Sequence, residues 1–382
     1  MEFELSETHR MLRTMVRELA ESRIAPRAAE VDEREEYPED IFALLREAHL
    51  LGIFLPEGVG GGGLGFLGGC VAIEEIARVC SNSALLIVLT MLASRPIALG
   101  GSAELKGRHL PALARGEVRG AFALTEPHAG SDAANIRTRA AREGDGWVLN
   151  GQKCFCTGPP YADFVLTAAK TDPGAGTRGI SFFLVPLDAP GFRIGRQERK
   201  MGMRGVPSVE LFYEGCRVPA ESVVGELNRG FHLAMRGFNQ VRPAVGARGV
   251  GLAQGCLDYA LRYAREREAF GGAIANLQAI QFMLADMALG TEAARLLVYR
   301  AAAGVDEGLI GREHAHLSSM AKCFAADNAM RVAVDAIQVL GGAGYMKDHP
   351  LERFMRDAKQ LQIVEGTNQI QRLVIARNLL GL

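Results

Sequence analysis

The feature that most restricts how this 382-residue chain can fold is a double change in its hydrophobic pattern. Residues 1–116 place apolar side chains at helical spacing, residues 117–225 alternate β-branched or aromatic runs with turn pairs, and residues 226–382 return to helical spacing. Because one segment cannot follow both periods, the pattern predicts a mainly α chain with a central antiparallel β domain between two helical domains.

The two helical segments are predicted in more detail. In the first, an amphipathic run opens at Pro38 and stops at Gly52, and Pro96 is expected to break a later, more apolar helix. In the last, the runs are rich in Ala and Leu around most of their circumference, so they must pack against one another. The predicted helices are Leu5–Val31, Pro38–Gly52, Cys70–Leu99, Val250–Arg267, Leu277–Ala303, His314–Leu340 and Asn368–Leu380.

Short strands fill the middle segment. The pairs Asp145-Gly146 and Asn150-Gly151 are turn signals of the kind that join antiparallel strands. The predicted strands are Gly120–Thr125, Trp147–Leu149, Phe164–Ala168, Ile180–Val185 and Val209–Tyr213.

Composition narrows the class of protein. The formal net charge is −1 and 48% of the residues are hydrophobic, which suits a globular protein and gives no basic surface for nucleic acid. The longest apolar runs fall short of the roughly 20 residues of a membrane span, and the charged N-terminus has no export signal. Seven scattered cysteines indicate free thiols in a reducing compartment, so we expect a cytoplasmic protein with no membrane partner.

Two kinds of motif are weak. The stretch Gly60–Gly65 lacks the Gly-Lys-Ser/Thr ending of a phosphate loop, which favours a flexible loop between helices. The pair His314 and His316 and the pair Cys154 and Cys156 each lie two residues apart without a second ligand pair. We therefore expect no metal site.

Three other segments carry polar groups where elements end. Leu124–Asp132 ends a strand in a turn rich in hydroxyl and backbone donors, and Arg265–Gly271 ends a helix with basic side chains and an aromatic ring. Ile363–Arg372 sets the carboxylate of Glu365 in an apolar flank before a glycine. From the residues alone, a solvated loop charge and a catalytic carboxylate are equally good interpretations of Glu365.

Five stretches resemble one enzyme family, in the family's order along the chain. They are LTEPHAGSD at Leu124–Asp132, REAFG at Arg267–Gly271, QVLGGAGY at Gln338–Tyr345, RFMRDAK at Arg353–Lys359 and EGTNQIQ at Glu365–Gln371. On these motifs the chain from Leu5 to Leu380 resembles the acyl-CoA dehydrogenases, flavoproteins that introduce an α,β double bond into acyl-CoA thioesters. The resemblance implies an N-terminal helical domain, a middle β-barrel-like domain and a C-terminal four-helix-bundle domain.

The resemblance also implies FAD, held between the β domain and the C-terminal helices. A turn from a neighbouring subunit completes the site in this family, so we expect at least a dimer and favour a homotetramer. The residues implied to contact FAD are Phe122, Leu124, Thr125, Gly130, Ser131, Phe155, Thr157, Arg267, Phe270, Gln278, Gln338, Gly341, Gly342, Thr367 and Gln369.

By the same resemblance, Glu365 is the base that removes the α-proton while the β-hydrogen leaves as hydride to the flavin. Some relatives carry this glutamate at the position of Val241, which cannot accept a proton. The electrons would pass to electron-transfer flavoprotein. The residues implied to contact the acyl-CoA or shape its channel are Ser131, Asn239, Arg242 and Gly366.

The acyl tail is expected to be apolar and of short to medium length. Ala84, Val88 and Leu92 follow one another at i, i+4 and i+8, although ordinary helix packing explains this spacing equally well. Arg95 offers a less favoured alternative, in which it receives the carboxylate of a dicarboxylyl-CoA. His128, which stands where the family has glycine, is expected to be exposed at its turn, and a position near the flavin is the less favoured alternative.

Two other functions remain open. An acyl-CoA oxidase-like enzyme would use oxygen as the electron acceptor, although such relatives usually carry further C-terminal helices. A non-catalytic scaffold that binds flavin or acyl-CoA would need no carboxylate at Glu365. Peroxide release, compared with reduction of electron-transfer flavoprotein, separates an oxidase from a dehydrogenase. Bleaching of the bound flavin by acyl-CoA separates an enzyme from a scaffold.

Overall fold

The computed structural model describes residues 4–382 and confirms the predicted order of a helical domain, a sheet domain and a second helical domain. The helices are α1 (Glu7–Leu19), α2 (Ala28–Arg34), α3 (Glu39–Glu47), α4 (Gly65–Ala77), α5 (Ser81–Gly100), α6 (Ala103–Ala114), α7 (Gly230–Glu266), α8 (Gln278–Asp306), α9 (Ala315–Leu340), α10 (Leu351–Leu361) and α11 (Asn368–Leu379). One hydrophobic cluster joins the helices of both helical domains.

The middle of the chain forms one eight-stranded sheet. Its strands are β1 (Gly120–Ala123), β2 (Arg139–Glu143), β3 (Gly146–Thr157), β4 (Phe164–Lys170), β5 (Ile180–Pro186), β6 (Phe192–Gln197), β7 (Ser208–Pro219) and β8 (Val223–Val224). The order is β6-β7-β3-β2-β4-β5-β8, and β1 pairs with β4. A two-stranded hairpin, β9 (Glu268–Ala269) and β10 (Gly272–Ala273), lies outside the sheet.

The sheet is not wholly antiparallel, contrary to the prediction. β1 runs parallel to β4, with Gly120 opposite Phe164, and one further parallel pair joins β2 to β4. A parallel pair needs a long crossover connection, and the β2–β3 hairpin that lies between β1 and β4 in the chain provides it. The Asp145-Gly146 turn is confirmed in that hairpin.

The turn predicted at Asn150-Gly151 is wrong. β3 continues through it, and the register against β7 shifts between Leu149 and Gly151. A Cβ placed on Gly151 would lie 2.5 Å from the Thr138 hydroxyl oxygen, so close backbone approach explains the glycine.

The predicted break at Pro96 is also wrong. The apolar run splits earlier into α4 and α5, and the chain between them turns at residues 78–80. Pro96 lies inside α5. Both helices are largely buried, and this tertiary packing compensates for the hydrogen bond that the proline cannot make.

α5 has the length and mean hydropathy of a membrane span. In this window 67% of the residues are buried inside the protein, as is usual for a core helix. No other described helix meets both criteria of length and hydropathy.

α7 begins at Gly230, 20 residues before the predicted start at Val250, and continues through Pro243. Glycines in the half that was not predicted allow close packing, since a Cβ on Gly246 would lie 2.8 Å from a methyl carbon of Val298 and one on Gly249 would lie 2.9 Å from the Ala325 carbonyl oxygen. A helix face of glycines carries little apolar signal, which explains why the sequence concealed this half of the helix.

All seven cysteines are free thiols and all are buried. No group of His, Cys, Asp and Glu that could hold a metal ion occurs among residues 4–382. Cys154 and Cys156 both lie in β3, and their side chains are packed into the protein.

Candidate active site

One half of the site forms where the end of β1 meets a bulge in β3. The backbone N–H of Cys154 donates to the Thr125 carbonyl at 3.0 Å, and the Lys153 ammonium donates to the Leu124 carbonyl at 3.1 Å. The register between β3 and β7 shifts between Lys153 and Cys156. The structure therefore brings Leu124 and Thr125 beside the Phe155–Thr157 segment, the two segments that the resemblance assigns to the flavin ring.

Phe155 lies at this bulge with φ +55° and is 66% exposed. A left-handed backbone is costly for an aromatic residue, and such strain concentrates at functional sites. The bulge turns the ring out of the sheet, while the nearby Thr157 hydroxyl lies 3.4 Å from that of Ser208. The exposed Phe155 ring therefore offers a flat aromatic surface to a planar ligand, and the partly exposed Thr157 offers a hydroxyl group beside it.

The loop after Thr125 is anchored by a buried ion pair. Lys153 donates to Glu126 at 2.7 Å, and Glu126 also accepts the backbone N–H groups of Arg137 and Thr138 at 2.6 and 3.0 Å. His128 is exposed at the turn, as predicted, with Nε2 3.5 Å from a Glu126 oxygen. Gly130 and Ser131 are exposed just beyond it.

The other half of the site is the turn between α10 and α11. Glu365 has φ +56° and Gly366 has φ +86°. Gln371 donates from Nε2 to both of their carbonyl oxygens, at 3.0 and 2.9 Å, and Arg242 reaches the Glu365 carbonyl from Nε at 3.5 Å. The next residue, Thr367, caps α11 by accepting the Ile370 N–H at 3.3 Å. Side-chain donors from two helices thus hold this strained turn.

The Glu365 carboxyl is set for an unusual protonation equilibrium. Its Oε2 is buried and has no hydrogen-bond partner among residues 4–382, although the residue as a whole is partly exposed. Burial raises the pKa of Glu365, and the positive charges of Arg242, Lys322 and Arg248 oppose this rise without cancelling it. A carboxyl with a raised pKa and a free oxygen is suited to accept a proton from a bound molecule.

Lys322 of α9 is a residue that the sequence analysis missed. It is fully buried, and its ammonium donates to the Gly366 carbonyl and to Asn368 Oδ1, each at 2.9 Å. Burial lowers its pKa to about 8, against the attraction of Glu365. Asn368 and Gln362 each donate to Asp327 of α9 at 2.7 Å, so the turn is tied to α9 on both sides of Glu365.

The other residues that the resemblance assigns to FAD are mostly exposed on the surface of this chain. Phe270 has φ +53° and is 94% exposed in the β9–β10 hairpin, close in sequence to the start of α8. The remaining exposed members are Arg267, Gln278, Gln338, Gly341, Gly342 and Gln369. Exposure of an aromatic ring and a glycine turn fits a site that a second subunit completes.

Several of the predicted substrate contacts belong to α7 and α5. Arg242 is buried and donates from Nη1 to Asn239 Oδ1 at 2.8 Å, one residue from the buried Val241. Phe122 of β1 contacts Phe238 of α7 edge to face, with ring centroids 5.4 Å apart. On α5, Val88 is buried and Leu92 is partly buried.

These residues fit FAD. The site offers an exposed aromatic ring at Phe155, hydroxyl groups at Thr125 and Thr157, an arginine at Arg267 for phosphate, and a glycine turn at Gly341 and Gly342 whose open backbone admits close approach. A Cβ on Gly341 or Gly342 would meet nothing within 4 Å in this chain.

Comparisons with known proteins agree on one family. Family models described as the N-terminal, middle and C-terminal domains of acyl-CoA dehydrogenase match residues 6–117, 121–216 and 228–380. The chain is 47% identical to a probable acyl-CoA dehydrogenase, FadE25 of Mycobacterium tuberculosis, over 99% of this chain and 97% of that protein.

Two solved structures are similar over the whole chain. Butyryl-CoA dehydrogenase from Megasphaera elsdenii superimposes with a TM-score of 0.96 at 36% identity and 100% coverage of both chains. A chain in a structure described as the electron transferring flavoprotein of Acidaminococcus fermentans gives a TM-score of 0.97 at 42% identity, again with 100% coverage of both. Three family models in order and near-complete relatives at this identity show that the chain belongs to the acyl-CoA dehydrogenase family, whose members are flavin-dependent oxidoreductases.

Proposed function

We propose that this enzyme is an FAD-dependent acyl-CoA dehydrogenase that converts an acyl-CoA thioester to the trans-2-enoyl-CoA, with Glu365 as the α-proton base. The observation that carries the proposal is the Glu365 carboxyl, whose Oε2 is buried without a partner among residues 4–382, on a turn that three neighbouring side chains fix. A solvated loop charge would have no reason to be fixed in this way.

The proton step belongs to this chain's own residues. Glu365 takes the proton from Cα of the thioester, and its raised pKa makes the protonated product easier to form. None of the residues 4–382 accepts a hydrogen bond from the Glu365 backbone N–H, which leaves that donor free for the thioester oxygen, where negative charge develops. FAD, when bound, supplies the chemistry of accepting the hydride from Cβ.

The residues proposed to hold FAD surround the two halves of the site. Phe122, Leu124, Thr125, Phe155 and Thr157 would hold the ring system, with Gly130 and Ser131 at its edge. Arg267, Phe270, Gln278, Thr367 and Gln369 would hold the dinucleotide, and Gln338, Gly341 and Gly342 of a second copy would complete it.

Ser131, Asn239, Arg242 and Gly366 are proposed to contact the CoA part or its channel. The exposed loop residue Ser131 and the buried Arg242–Asn239 pair lie on different elements that both border the site. Val88 and Leu92 are proposed as apolar walls for the acyl chain. We also propose a homotetramer and a cytoplasmic location. Electron-transfer flavoprotein is proposed as the electron acceptor, and the similarity to the Acidaminococcus structure supports this last point alone.

Anaerobic mixing of the yellow holoenzyme with acyl-CoA thioesters tests this function. We expect loss of the flavin absorbance near 450 nm, enoyl-CoA formation, and reoxidation by electron-transfer flavoprotein. Hydrogen peroxide formed at the rate of turnover would instead indicate an oxidase. A protein that binds FAD but is bleached by no thioester would contradict the assignment and favour a scaffold.

A further inference from the structure

Arg248 of α7 is a buried guanidinium that the proposed reaction does not use. It is 1% exposed, the largest side chain among the fully buried residues of the described chain. It lies six residues beyond Arg242, about 9 Å along the helix axis at 1.5 Å per residue. Val241, Val245 and Arg248 follow at i, i+4 and i+7, so they share one face of α7.

Its contacts are all with neutral groups, and one nitrogen makes all of them. Nη2 lies 3.1 Å from Ser81 Oγ, 3.1 Å from Met203 Sδ and 3.2 Å from Gln360 Oε1. Nε is buried and has no partner among residues 4–382. A guanidinium has five N–H donors and carries a full charge, so this environment leaves Arg248 poorly satisfied.

The carboxylates nearest to Arg248 do not neutralise it. Asp357 and Glu365 act on it only at a distance, and burial lowers the pKa of Arg248 to about 10. The Asp357 oxygens already accept the Met203 N–H and a 3.5 Å contact from Asn82. A buried cation without a paired anion is costly, and proteins retain such groups chiefly for function.

The position of Arg248 relative to α5 indicates which site it serves. Its partner Ser81 lies on the same face of α5 as Ala84 and Val88, at i, i+3 and i+7. That is the face proposed to line the acyl chain. The matching face of α7 presents Val241 and Val245, and all four apolar residues belong to one hydrophobic cluster.

From this geometry, and resting on the proposed function, we propose that Arg248 is a specificity-determining residue at the far end of the α5 and α7 faces proposed to line the acyl chain, and that this chain ends in a carboxylate. Apolar walls on α5 and α7 would hold the methylene groups. The planar guanidinium would hold the terminal carboxylate with Nε, which has no partner among residues 4–382, as one of its donors. This changes one sequence-based expectation, that of a wholly apolar tail.

Arg95 also has an Nε without a partner among residues 4–382, but its partial exposure and its position argue against it in this role. Arg95 of α5 donates a hydrogen bond to Gln240 of α7, and its guanidinium lies over the Phe66 ring, 5.0 Å from the ring centroid. Gln240 stands one residue before Val241, about 100° around the helix from it at 100° per residue, so Arg95 approaches α7 to one side of the face that carries Val241, Val245 and Arg248.

The test compares thioesters of equal length that differ only in the terminal group. Steady-state and anaerobic bleaching rates are measured on the holoenzyme with glutaryl-CoA against valeryl-CoA, and with adipyl-CoA against hexanoyl-CoA. We expect kcat/KM to favour the dicarboxylic member of at least one pair by about 10- to 100-fold, the range of a charge-assisted hydrogen bond. Arg248→Met should remove that preference while leaving valeryl-CoA turnover within about threefold, and Arg248→Lys should keep part of it.

Arg95→Met is the matched control, because it also removes a guanidinium that is mostly shielded from solvent and bonded to an amide. It should leave the preference unchanged. A wild-type enzyme that prefers the monocarboxylic member of both pairs would overturn this proposal even if Arg248→Met fails to fold, and so would loss of the preference in Arg95→Met alone. Bleaching by no thioester at all would instead overturn the proposed function, and this proposal with it.

Discussion

At the scale of single residues, Glu365 combines a costly backbone with a costly carboxyl. A left-handed φ of +56° and a buried Oε2 that no group in the described part of the chain meets both reduce stability, and the buried donors Lys322 and Gln371 hold the turn in place. Structural needs alone would not favour this arrangement. It becomes intelligible if the carboxyl must meet a proton at a fixed place.

Removal of the carboxylate is the most direct prediction. Glu365→Gln should retain FAD and bind acyl-CoA, because the turn and its N–H donor survive, while flavin bleaching slows by about 10²–10⁴-fold or more. Stopped-flow absorbance measures this step. Bleaching at the wild-type rate in Glu365→Gln would refute the base assignment.

A second carboxylate is expected to rescue that variant in part. Val241 is buried on α7 beside Arg242, which contacts the Glu365 turn. Adding Val241→Glu to Glu365→Gln should restore a fraction of the bleaching rate, and Val241→Gln in the same background is the control that adds bulk without a base. Equal rates in the two double variants would show that the positions do not share a substrate atom.

The pH dependence should have two limbs. The base works only when it is deprotonated, so the raised pKa of Glu365 moves the acid limb to higher pH. Lys322 is charged below its pKa of about 8, and above that value it loses the charge that holds the Gly366 carbonyl. The bleaching rate should therefore rise with pH, reach a maximum and fall above about pH 8.

Lys322→Met tests the origin of the alkaline limb. The variant should be slower at neutral pH and should lose the decline above about pH 8, whereas the acid limb, which belongs to Glu365, should remain. A uniformly slower enzyme whose alkaline limb is unchanged would assign that limb to another group.

At the scale of elements, the bulge in β3 and the loop after β1 depend on one buried ion pair. Lys153→Met leaves Glu126 buried without its cation, which typically costs about 3–5 kcal/mol. The variant should unfold at lower denaturant concentration and release FAD more readily, as measured by chemical denaturation and flavin fluorescence.

The double variant Lys153→Met with Glu126→Gln controls for burial of the charge itself. It should recover part of the lost stability, because no unpaired charge remains, while the Leu124 carbonyl still lacks its donor. FAD release that recovers fully in the double variant would mean that the ammonium does not position the loop.

The elements also show what a sequence can predict. The sequence predicted the helices and strands whose hydrophobic periods are clear, and the resemblance of its motif singled out Glu365 as the candidate base. Pro96 misled because tertiary packing outweighs its local preference, and the first half of α7 was missed because its glycines serve close contact. Lys322 and Arg248 could not be recognised from the sequence, because a single charged residue in an Ala-rich helix is usually on the face exposed to solvent. Only the fold shows that both side chains are buried.

At the scale of the whole molecule, α8 presents an apolar stripe to solvent. Phe282, Leu289 and Leu296 are 60%, 69% and 45% exposed and are spaced at i, i+7 and i+14.

Leu289→Arg should weaken subunit association and FAD retention together, because the glycine turn of a neighbour is proposed to complete the site. Light scattering and the flavin-to-protein ratio measure both, with Glu307→Arg, at the exposed C-terminal end of α8, as the control. A tetramer of normal mass in Leu289→Arg would exclude this stripe as a main interface.

The burial of every thiol makes the enzyme a convenient host for single-site conjugation. Burial raises the pKa of each cysteine, so little thiolate is present near neutral pH and maleimides should leave the folded protein unmodified. One cysteine introduced on the surface, for example at Glu307, would then carry a dye at a known place without any native cysteine being replaced. Subunit exchange could be followed by energy transfer between such dyes in an otherwise unaltered enzyme.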